Sequence, residues 1–362
     1  MPAYKDEKKN TWFVKFYYRT WNGENKRYTK RGFLTKREAL QWERDFLAQK
    51  NGSTDMSFAD FVKVYLADRS PRLKESTCAM KENVIETKLL PYFGKLSLRD
   101  ISSKDVIRWQ NEMLSYRSPE SKEPYSKSYL KTVHNQLSAI FNHAVRFYGL
   151  KENPAHLAGN MGTERGIEMK YWTREEYQKF AEAMMAEPLA YYCFEVLYWC
   201  GIREGELLAL TPADIDLTAK TLSVTKTFQQ IKGHDVITDP KTPKSKRKIF
   251  LPDFLCEELN EYIKLCYDLA PDDRLFPVTK SYLYREMQKG CKASGVKRIR
   301  VHDLRHSHVS LLIDMGFSAL AIADRMGHEC ADITYRYAHL FPSVQTQMAE
   351  RLNKFREEKQ KV

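Results

Sequence analysis

A chain of 362 residues with 43% hydrophobic and 12% aromatic content is long enough for two or three cores of ordinary size and lies outside disordered or fibrous compositions. Its apolar runs are short and broken by charge, as in Phe194–Cys200, which excludes the roughly 18–20 apolar residues of a membrane span. The formal net charge is +12, and the first fifty residues hold 13 Lys/Arg against 6 Asp/Glu, an asymmetry that favours a polyanionic partner.

The opening segment alternates, with Trp12, Val14, Phe16 and Tyr18 on one side and Lys15, Tyr17 and Arg19 on the other, the period of a half-buried strand. Asn22-Gly23 predicts a turn, Asn25–Arg31 a second strand ending at Gly32, and Thr35-Lys-Arg-Glu38 the capped start of a helix running to Ala48. A basic, aromatic ribbon of this kind suits a DNA groove, with Arg19, Lys26, Arg27, Lys30 and Arg31 reaching phosphates or base edges. The same pattern also fits a small hairpin with a solvated charged face. No secretion signal is predicted, because Met1–Thr20 is charged and lacks an apolar stretch.

After the polar link Asn51-Gly-Ser-Thr the pattern turns helical, with helices predicted at Ser57–Asp68, Glu75–Leu90 (closed by Pro91 and Gly94), Ser103–Leu114 and Ser126–Phe147. The last carries Leu130, Val133, Leu137, Ile140, Phe141 and Ala144 on one stripe, the buried face of a compact bundle. Turn formers through Gly159, Gly162 and Gly166 mark a linker. The expected division is therefore 1–50, 56–150, a linker at 151–168, and 169–362. In the last part, helices are predicted at Arg174–Met185 and Leu189–Cys200, and Thr221–Phe228 and Arg247–Leu251 are predicted to pair as a basic hairpin. Further helices follow at Asp253–Leu269, Lys280–Ser294, His302–Met315, Ser318–Met326, Ala331–Tyr337 and Ser343–Glu357.

Four clusters in this last part could carry chemistry. Gly201-Ile-Arg203-Glu-Gly-Glu206 places a guanidinium in a first helical turn, where outward amides suit a phosphate; an ordinary surface pair of Arg203 with Glu206 or Glu204 fits as well. Asp239–Lys248 gathers five cations around a predicted hairpin tip. His302-Asp-Leu-Arg305-His306-Ser-His308 puts His302 and Arg305 on one helix face. A zinc reading of its histidines lacks the glutamate after the first His and a cysteine pair, so His306 and His308 read as structural. Gly327-His328 precedes Tyr335-Arg-Tyr337-Ala-His339, in which two tyrosines two apart cannot both face one pocket. The seven cysteines are scattered without a C-x-x-C pair, which suits a reducing cytosol.

Taken in this order, Gly-Ile-Arg203-Glu-Gly-Glu206, Lys241-Thr-Pro-Lys, His302-x-x-Arg305, Gly327-His328 and Tyr337-Ala-His339-Leu resemble the catalytic set of the tyrosine recombinases, the phage and conjugative-transposon integrases. His302 lies 35 residues and His328 nine residues before Tyr337, as in that family. The start of the chain, ending in Gly32-Phe-Leu-Thr-Lys-Arg-Glu-Ala39, is similar to the family's arm-type DNA-binding domain, and the bundle to its SAM-like core-binding domain. The resemblance implies a multidomain fold, mainly α with small β elements: an N-terminal β-ribbon arm-binding domain, a helical core-binding bundle and an α+β catalytic domain with a C-terminal tail helix.

It implies a DNA strand transferase that cuts through a 3′-phosphotyrosine and uses no cofactor, metal or nucleotide. Accordingly the sequence has no phosphate-loop motif and no closely spaced carboxylates of a two-metal site. Tyr337 would be the nucleophile, chosen over Tyr335 by its context. Arg203, Arg305 and His328 would meet the phosphate oxygens, and His302 would help take the tyrosine proton or hold the phosphate. Lys241, chosen over Lys244 and Lys246, would protonate the leaving 5′ oxygen, with Glu206 buttressing the arginines. The implied partners are double-stranded attachment-site DNA, a homotetramer on that DNA and an excisionase or directionality factor, in a bacterial cytoplasm near the nucleoid; the tail, with Met348, Leu352 and Phe355 on one stripe, is expected to dock in trans, and packing on its own domain fits the same stripe. Two other classes use parts of the same set: a DNA-binding module that has lost catalysis, and a topoisomerase. The reactive residue types at every motif position argue against the first, and the arm-like domain against the second.

Overall fold

The computed structural model describes residues 3–7, 10–19, 25–51, 56–163, 169–240 and 242–327, together with Asn353. It divides into two compact units, Met1–Gly166 and Ile167–Val362. No described helix is long and apolar enough to cross a membrane.

The first unit opens with an antiparallel sheet in the order β1 (Ala3–Asp6), β2 (Thr11–Arg19), β3 (Asn25–Phe33), covered by α1 (Lys36–Asn51). The sequence pattern predicts β2, β3 and α1; β1 is an addition to it. The predicted cap forms: Thr35 Oγ1 accepts from the Glu38 amide at 3.1 Å, and Glu38 reaches back to the Leu34 amide at 3.2 Å. Val14, Phe16, Phe33 and Ala39 are buried under the helix, and Tyr28 stacks on Phe46 with centroids 4.7 Å apart.

Strand pairing sorts the predicted arm contacts onto two faces. Tyr17 stands opposite Arg27 and Phe13 opposite Arg31, on the face away from Val14 and Phe16, whereas Lys26 and Lys30 share the side of Tyr28. All four are exposed. Arg31 lies 3.7 Å from Asp6 and over the Phe13 ring, and Lys30 lies 6.0 Å from the Trp42 ring. The side chain of Arg19 and the turn at Asn22-Gly23 fall outside the described residues.

The bundle consists of α2 (Phe58–Arg69), α3 (Glu75–Val84), a π turn at Ile85–Leu89, α4 (Leu90–Phe93), α5 (Ser103–Ser115), α6 (Lys127–Phe147) and α7 (Pro154–Ala158). Ser57, Ser102 and Ser126 cap α2, α5 and α6 through their side chains, and the whole predicted stripe of α6 is buried. Two expectations are corrected here. Pro91 does not close the helix begun at Glu75, because the chain widens into a π turn, with the Leu90 amide bonded to the Ile85 carbonyl. The wider turn accommodates the proline ring and its missing N–H, and helix continues to Phe93. The proposed linker at 151–168 is not all linker. Asn153 caps α7 and donates to Ser138 and Asn142 of α6, and Ala155 is fully buried in the bundle core.

The second unit is built around α9 (Pro188–Cys200), which is apolar nearly all round and accordingly buried. Against it pack α8 (Arg174–Met184), α11 (Asp253–Leu265) and α13 (Asp303–Asp314); α12 (Lys280–Ser294) lies on α8, and α14 (Ala319–Met326) on α13. The sheet differs from expectation. The segment 221–228 is not one strand: β5 (Thr221–Val224) pairs with β8 (Arg247–Phe250) and with β4 (Ile215–Asp216), while β6 (Thr227–Ile231) and β7 (His234–Thr238) form a separate hairpin inserted between them. Lys232 and Gly233 make its turn with φ of 49° and 85°, the positive-φ pair of a two-residue hairpin. The cationic segment Asp239–Lys248 is therefore the return from β7 to β8 and not the tip of a hairpin. The helix expected over Asp253–Leu269 stops at Leu265, where Cys266 turns extended. The helix expected at Ala331–Tyr337, and all of that expected at Ser343–Glu357 except Asn353, lie outside the described residues.

Candidate active site

Helix α9 ends on Gly201 in the left-handed region, φ 61°, and a Cβ there would stand 2.5 Å from the His308 ring. Only glycine suits both the conformation and the space. Two residues later Arg203 caps the short helix α10 (Glu204–Leu207). Its amide donates to Glu206 Oε2 at 2.9 Å, and its Nη1 donates to Glu206 Oε1 at 2.7 Å and to Ser245 Oγ at 3.3 Å. The pair with Glu206 is the one foreseen for a helix surface, but Glu206 is 2% exposed. A second guanidinium, Arg247, forks onto the same carboxylate at 2.9 and 3.3 Å. Burial pushes the Glu206 pKa up, but Arg247 and then Arg203 outweigh it and hold the carboxyl below its ordinary value. Glu206 thus buttresses Arg203 and Arg247; Arg305 is held elsewhere.

Arg305 sits in the first turn of α13 and is 5% exposed. Its Nη1 donates to the Gly201 carbonyl at 2.7 Å and its Nη2 to the Met326 carbonyl at 2.6 Å. One side chain thereby ties the turn before Arg203 to the turn before His328, across 104 and 21 residues of sequence. The start of α13 is pinned by Arg300, which donates to the buried Asp303 carboxylate at 2.7 Å. His302, at the N-cap, is exposed at its outer edge. Local burial of its ring, then Arg305, with smaller contributions from Arg300 and Arg203, lowers its pKa below the ordinary 6.5. A neutral imidazole beside three guanidiniums is a proton acceptor at neutral pH.

The other two histidines take supporting places. The His306 ring meets that of His302 edge to face at 5.4 Å, and burial with the neighbouring His302 lowers its pKa to about 4. His308 is buried, and desolvation with Arg325 and Arg305 lowers its pKa to about 3. Arg325 Nε donates to His308 Nε2 at 3.1 Å; a guanidinium can only donate, so the His308 proton sits on Nδ1. Arg325 also reaches the carbonyls of Phe250 and Trp199 at 3.2 and 3.3 Å.

Of the six predicted catalytic residues, the structure brings Arg203, His302 and Arg305 into one electrostatic neighbourhood. Lys241, His328 and Tyr337 lie outside the described residues. The chain just after Lys241 and the chain just before His328 are anchored at the site. Thr242 and Ser245 bring their hydroxyl oxygens to 3.0 Å in the turn that follows Lys241, and the same Ser245 hydroxyl accepts from Arg203. Gly327, immediately before His328, has φ 66°, and a Cβ on it would meet the Lys244 carbonyl at 2.8 Å and Arg247 Cδ at 2.9 Å. Sequence reading missed Arg247, Arg325 and Ser245 as parts of this frame. Arg247 stood within the cationic run, but its partner Glu206 is 41 residues away, so no local spacing exposes it.

Three matches cover this chain in order: an arm DNA-binding domain over residues 2–50, a phage integrase N-terminal SAM-like domain over 57–114, and the phage integrase family over 170–343, the stretch that holds this site. The chain belongs to the phage integrase family of tyrosine recombinases. The recombinase is 29% identical over 339 residues to the ICEBs1 integrase of Bacillus subtilis (strain 168), with 88% of this chain and 90% of the relative covered. Its fold is similar to that of the Tn1549 transposon integrase in complex with a circular intermediate DNA (TM-score 0.67, 20% identity, 82% and 99% coverage). It is also similar to that of the lambda integrase tetramer bound to a Holliday junction (TM-score 0.59, 18% identity, 91% and 96% coverage). The recombinase is a site-specific DNA recombinase that integrates and excises a mobile element, and its order of arm domain, helical core and catalytic domain is the one expected from the sequence.

Proposed function

We propose that the recombinase cleaves one strand of attachment-site DNA by attack of Tyr337 on a phosphodiester held by Arg203, Arg305 and His328. His302 takes the phenol proton and Lys241 delivers a proton to the departing 5′ oxygen. The 3′-phosphotyrosine keeps the bond energy of the diester, and the 5′ hydroxyl of a partner strand resolves it by the reverse steps. The observation that carries this reading is the convergence of Arg203, His302 and Arg305, joined through the Gly201 and Met326 carbonyls. Developing negative charge on the phosphorane then meets fixed cations that need no rearrangement.

The duplex is bound by the bundle and by the arm sheet, where Lys26, Arg27, Lys30 and Arg31, with Arg19, contact phosphates. Because the cations of β3 divide between two faces, one groove receives Arg27 and Arg31, while Lys26 and Lys30 stand toward the flanking backbone. Exchange by single-strand cuts between two duplexes requires four protomers, the assembly in which the lambda integrase was solved on a Holliday junction. The C-terminal tail docks on a neighbouring protomer, a directionality factor sets integration against excision, and the reaction runs in a bacterial cytoplasm on the nucleoid.

Lys241→Ala slows cleavage of an ordinary phosphodiester but leaves cleavage of a 5′-thiolate leaving group unchanged, because a thiolate departs without a proton; equal slowing of both removes Lys241 as the acid. His302 acts as its neutral form, and its pKa is lowered, so the cleavage rate stays level from pH 8 to about 6.5 and falls only below that. NMR titration of the ring should show a midpoint below 6.5, moving up in Arg203→Ala as one depressing charge is lost. A midpoint above 6.5 contradicts the assignment.

A further inference from the structure

We infer that Arg247 is a positioning residue for strand cleavage: it locks Arg203 and the turn that precedes His328 into one rigid frame. The inference rests on the reading of Arg203 and His328 as phosphate-binding groups. Arg247 belongs to β8, where it stands opposite Val224, so its backbone is fixed by the sheet. Its side chain is 6% exposed, and its hydrogen bonds run to three parts of the site. The fork takes both oxygens of Glu206, the carboxylate that holds Arg203 through its Nη1 and its amide. Nη1 also donates to the Ser245 carbonyl at 3.0 Å, within the turn whose hydroxyl meets Arg203. Nε donates to the Arg325 carbonyl at 3.0 Å, two residues before Gly327.

The stem of Arg247 also forms the wall on which that glycine rests, with Cδ 2.9 Å from the place of a Cβ. Arg247 and Arg305 thus hold the consecutive carbonyls of Arg325 and Met326 at the C-terminus of α14, an end where cations are favoured. A guanidinium suits this place and an ammonium does not. The bonds leave from three nitrogens in one plane, whereas lysine offers a single nitrogen on a flexible stem. Without the fork, Glu206 keeps Arg203 but loses its own orientation, and the chain before His328 loses a tether.

The test compares single-turnover cleavage of an attachment-site duplex with cleavage of the same duplex carrying a methylphosphonate at the scissile position. There a methyl replaces one charged oxygen, and an arginine that serves that oxygen becomes dispensable. Arg247→Lys should slow cleavage of the phosphodiester by about 100-fold, the scale of a misplacement near 1 Å, while DNA binding stays within about threefold of the parent. The penalty should shrink on one methylphosphonate stereoisomer together with that of Arg203→Ala, and the double variant should be no slower than Arg203→Ala alone. If Arg247→Lys fails to fold, Arg247→Gln carries the same comparison, since it removes the fork and leaves the Arg203–Glu206 pair in place. A penalty equal on both substrates, or no penalty while Arg203→Ala is inactive, overturns the role of Arg247. Parental activity of Arg203→Ala overturns the underlying reading instead.

Discussion

Arg305→Ala is expected to lower the rate of strand cleavage by about 10³-fold or more, the scale of losing a preorganised donor to a developing oxyanion, and to destabilise the catalytic unit as well. The two effects share a cause. The guanidinium is 5% exposed and takes the carbonyls of Gly201 and Met326 as acceptors. Removing it strips charge from the proposed phosphate pocket and leaves two carbonyls short of a partner, at about 2–4 kcal/mol in total. Lysine should not restore either property, because one ammonium cannot span both acceptors and still face a phosphate. Thermal melting and single-turnover cleavage measure the two losses separately. Arg305→Lys with parental cleavage would show that the fork is not needed.

Tyr337→Phe is expected to remove cleavage altogether, a loss of at least ~10⁴-fold, because no other group supplies the bond that holds the cut strand. Folding and DNA binding should be unchanged, since the substitution deletes one hydroxyl. Tyr335→Phe should retain activity: in the helix expected there from the sequence, two residues rotate a side chain by about 200°, so one pocket receives only one of the pair. Assaying both variants on the same nicked duplex separates the nucleophile from its neighbour. Loss of cleavage in Tyr335→Phe with its persistence in Tyr337→Phe would reverse the assignment.

What could be read from the sequence was what local chemistry determines. Thr35, Ser57, Ser126, Thr173 and Ser318 each mark a helix start, because a cap is a contact across three residues. The buried stripe of α6 and the apolar α9 follow from periodicity and composition alone. The pairing of β5 with β8 was legible as a pairing, but the hairpin between them was not separated from it. Its turn, Lys232-Gly233, lies beyond the predicted strand Thr221–Phe228 and is the local signal that separates β6 from β7. The docking of α7 depends on side chains of α5 and α6, which no local pattern of the sequence displays.

The site divides in the same way. Arg203 with Glu206, and His302 with Arg305, are spacings on one turn and were legible, whereas their surroundings were not. Whether Glu206 was a surface partner or a buried one turned on Arg247, 41 residues on. The three histidines of α13 looked alike in sequence. Packing makes His302 a neutral group at the edge of the site, His308 a buried acceptor for Arg325, and His306 a neighbour of the first. Only tertiary burial and nearby cations distinguish imidazoles so close together. Lys241, His328 and Tyr337 rest on motif and order, and the anchored turns at Ser245 and Gly327 support the first two.

The most direct measurement traps the recombinase on a nicked attachment-site duplex, from which the fragment beyond the cut diffuses away, and maps the DNA-linked peptide after proteolysis. A single 3′-phosphotyrosine on Tyr337, absent from Tyr337→Phe, is the predicted result. An adduct on Tyr335, or one that persists in Tyr337→Phe, would contradict the account.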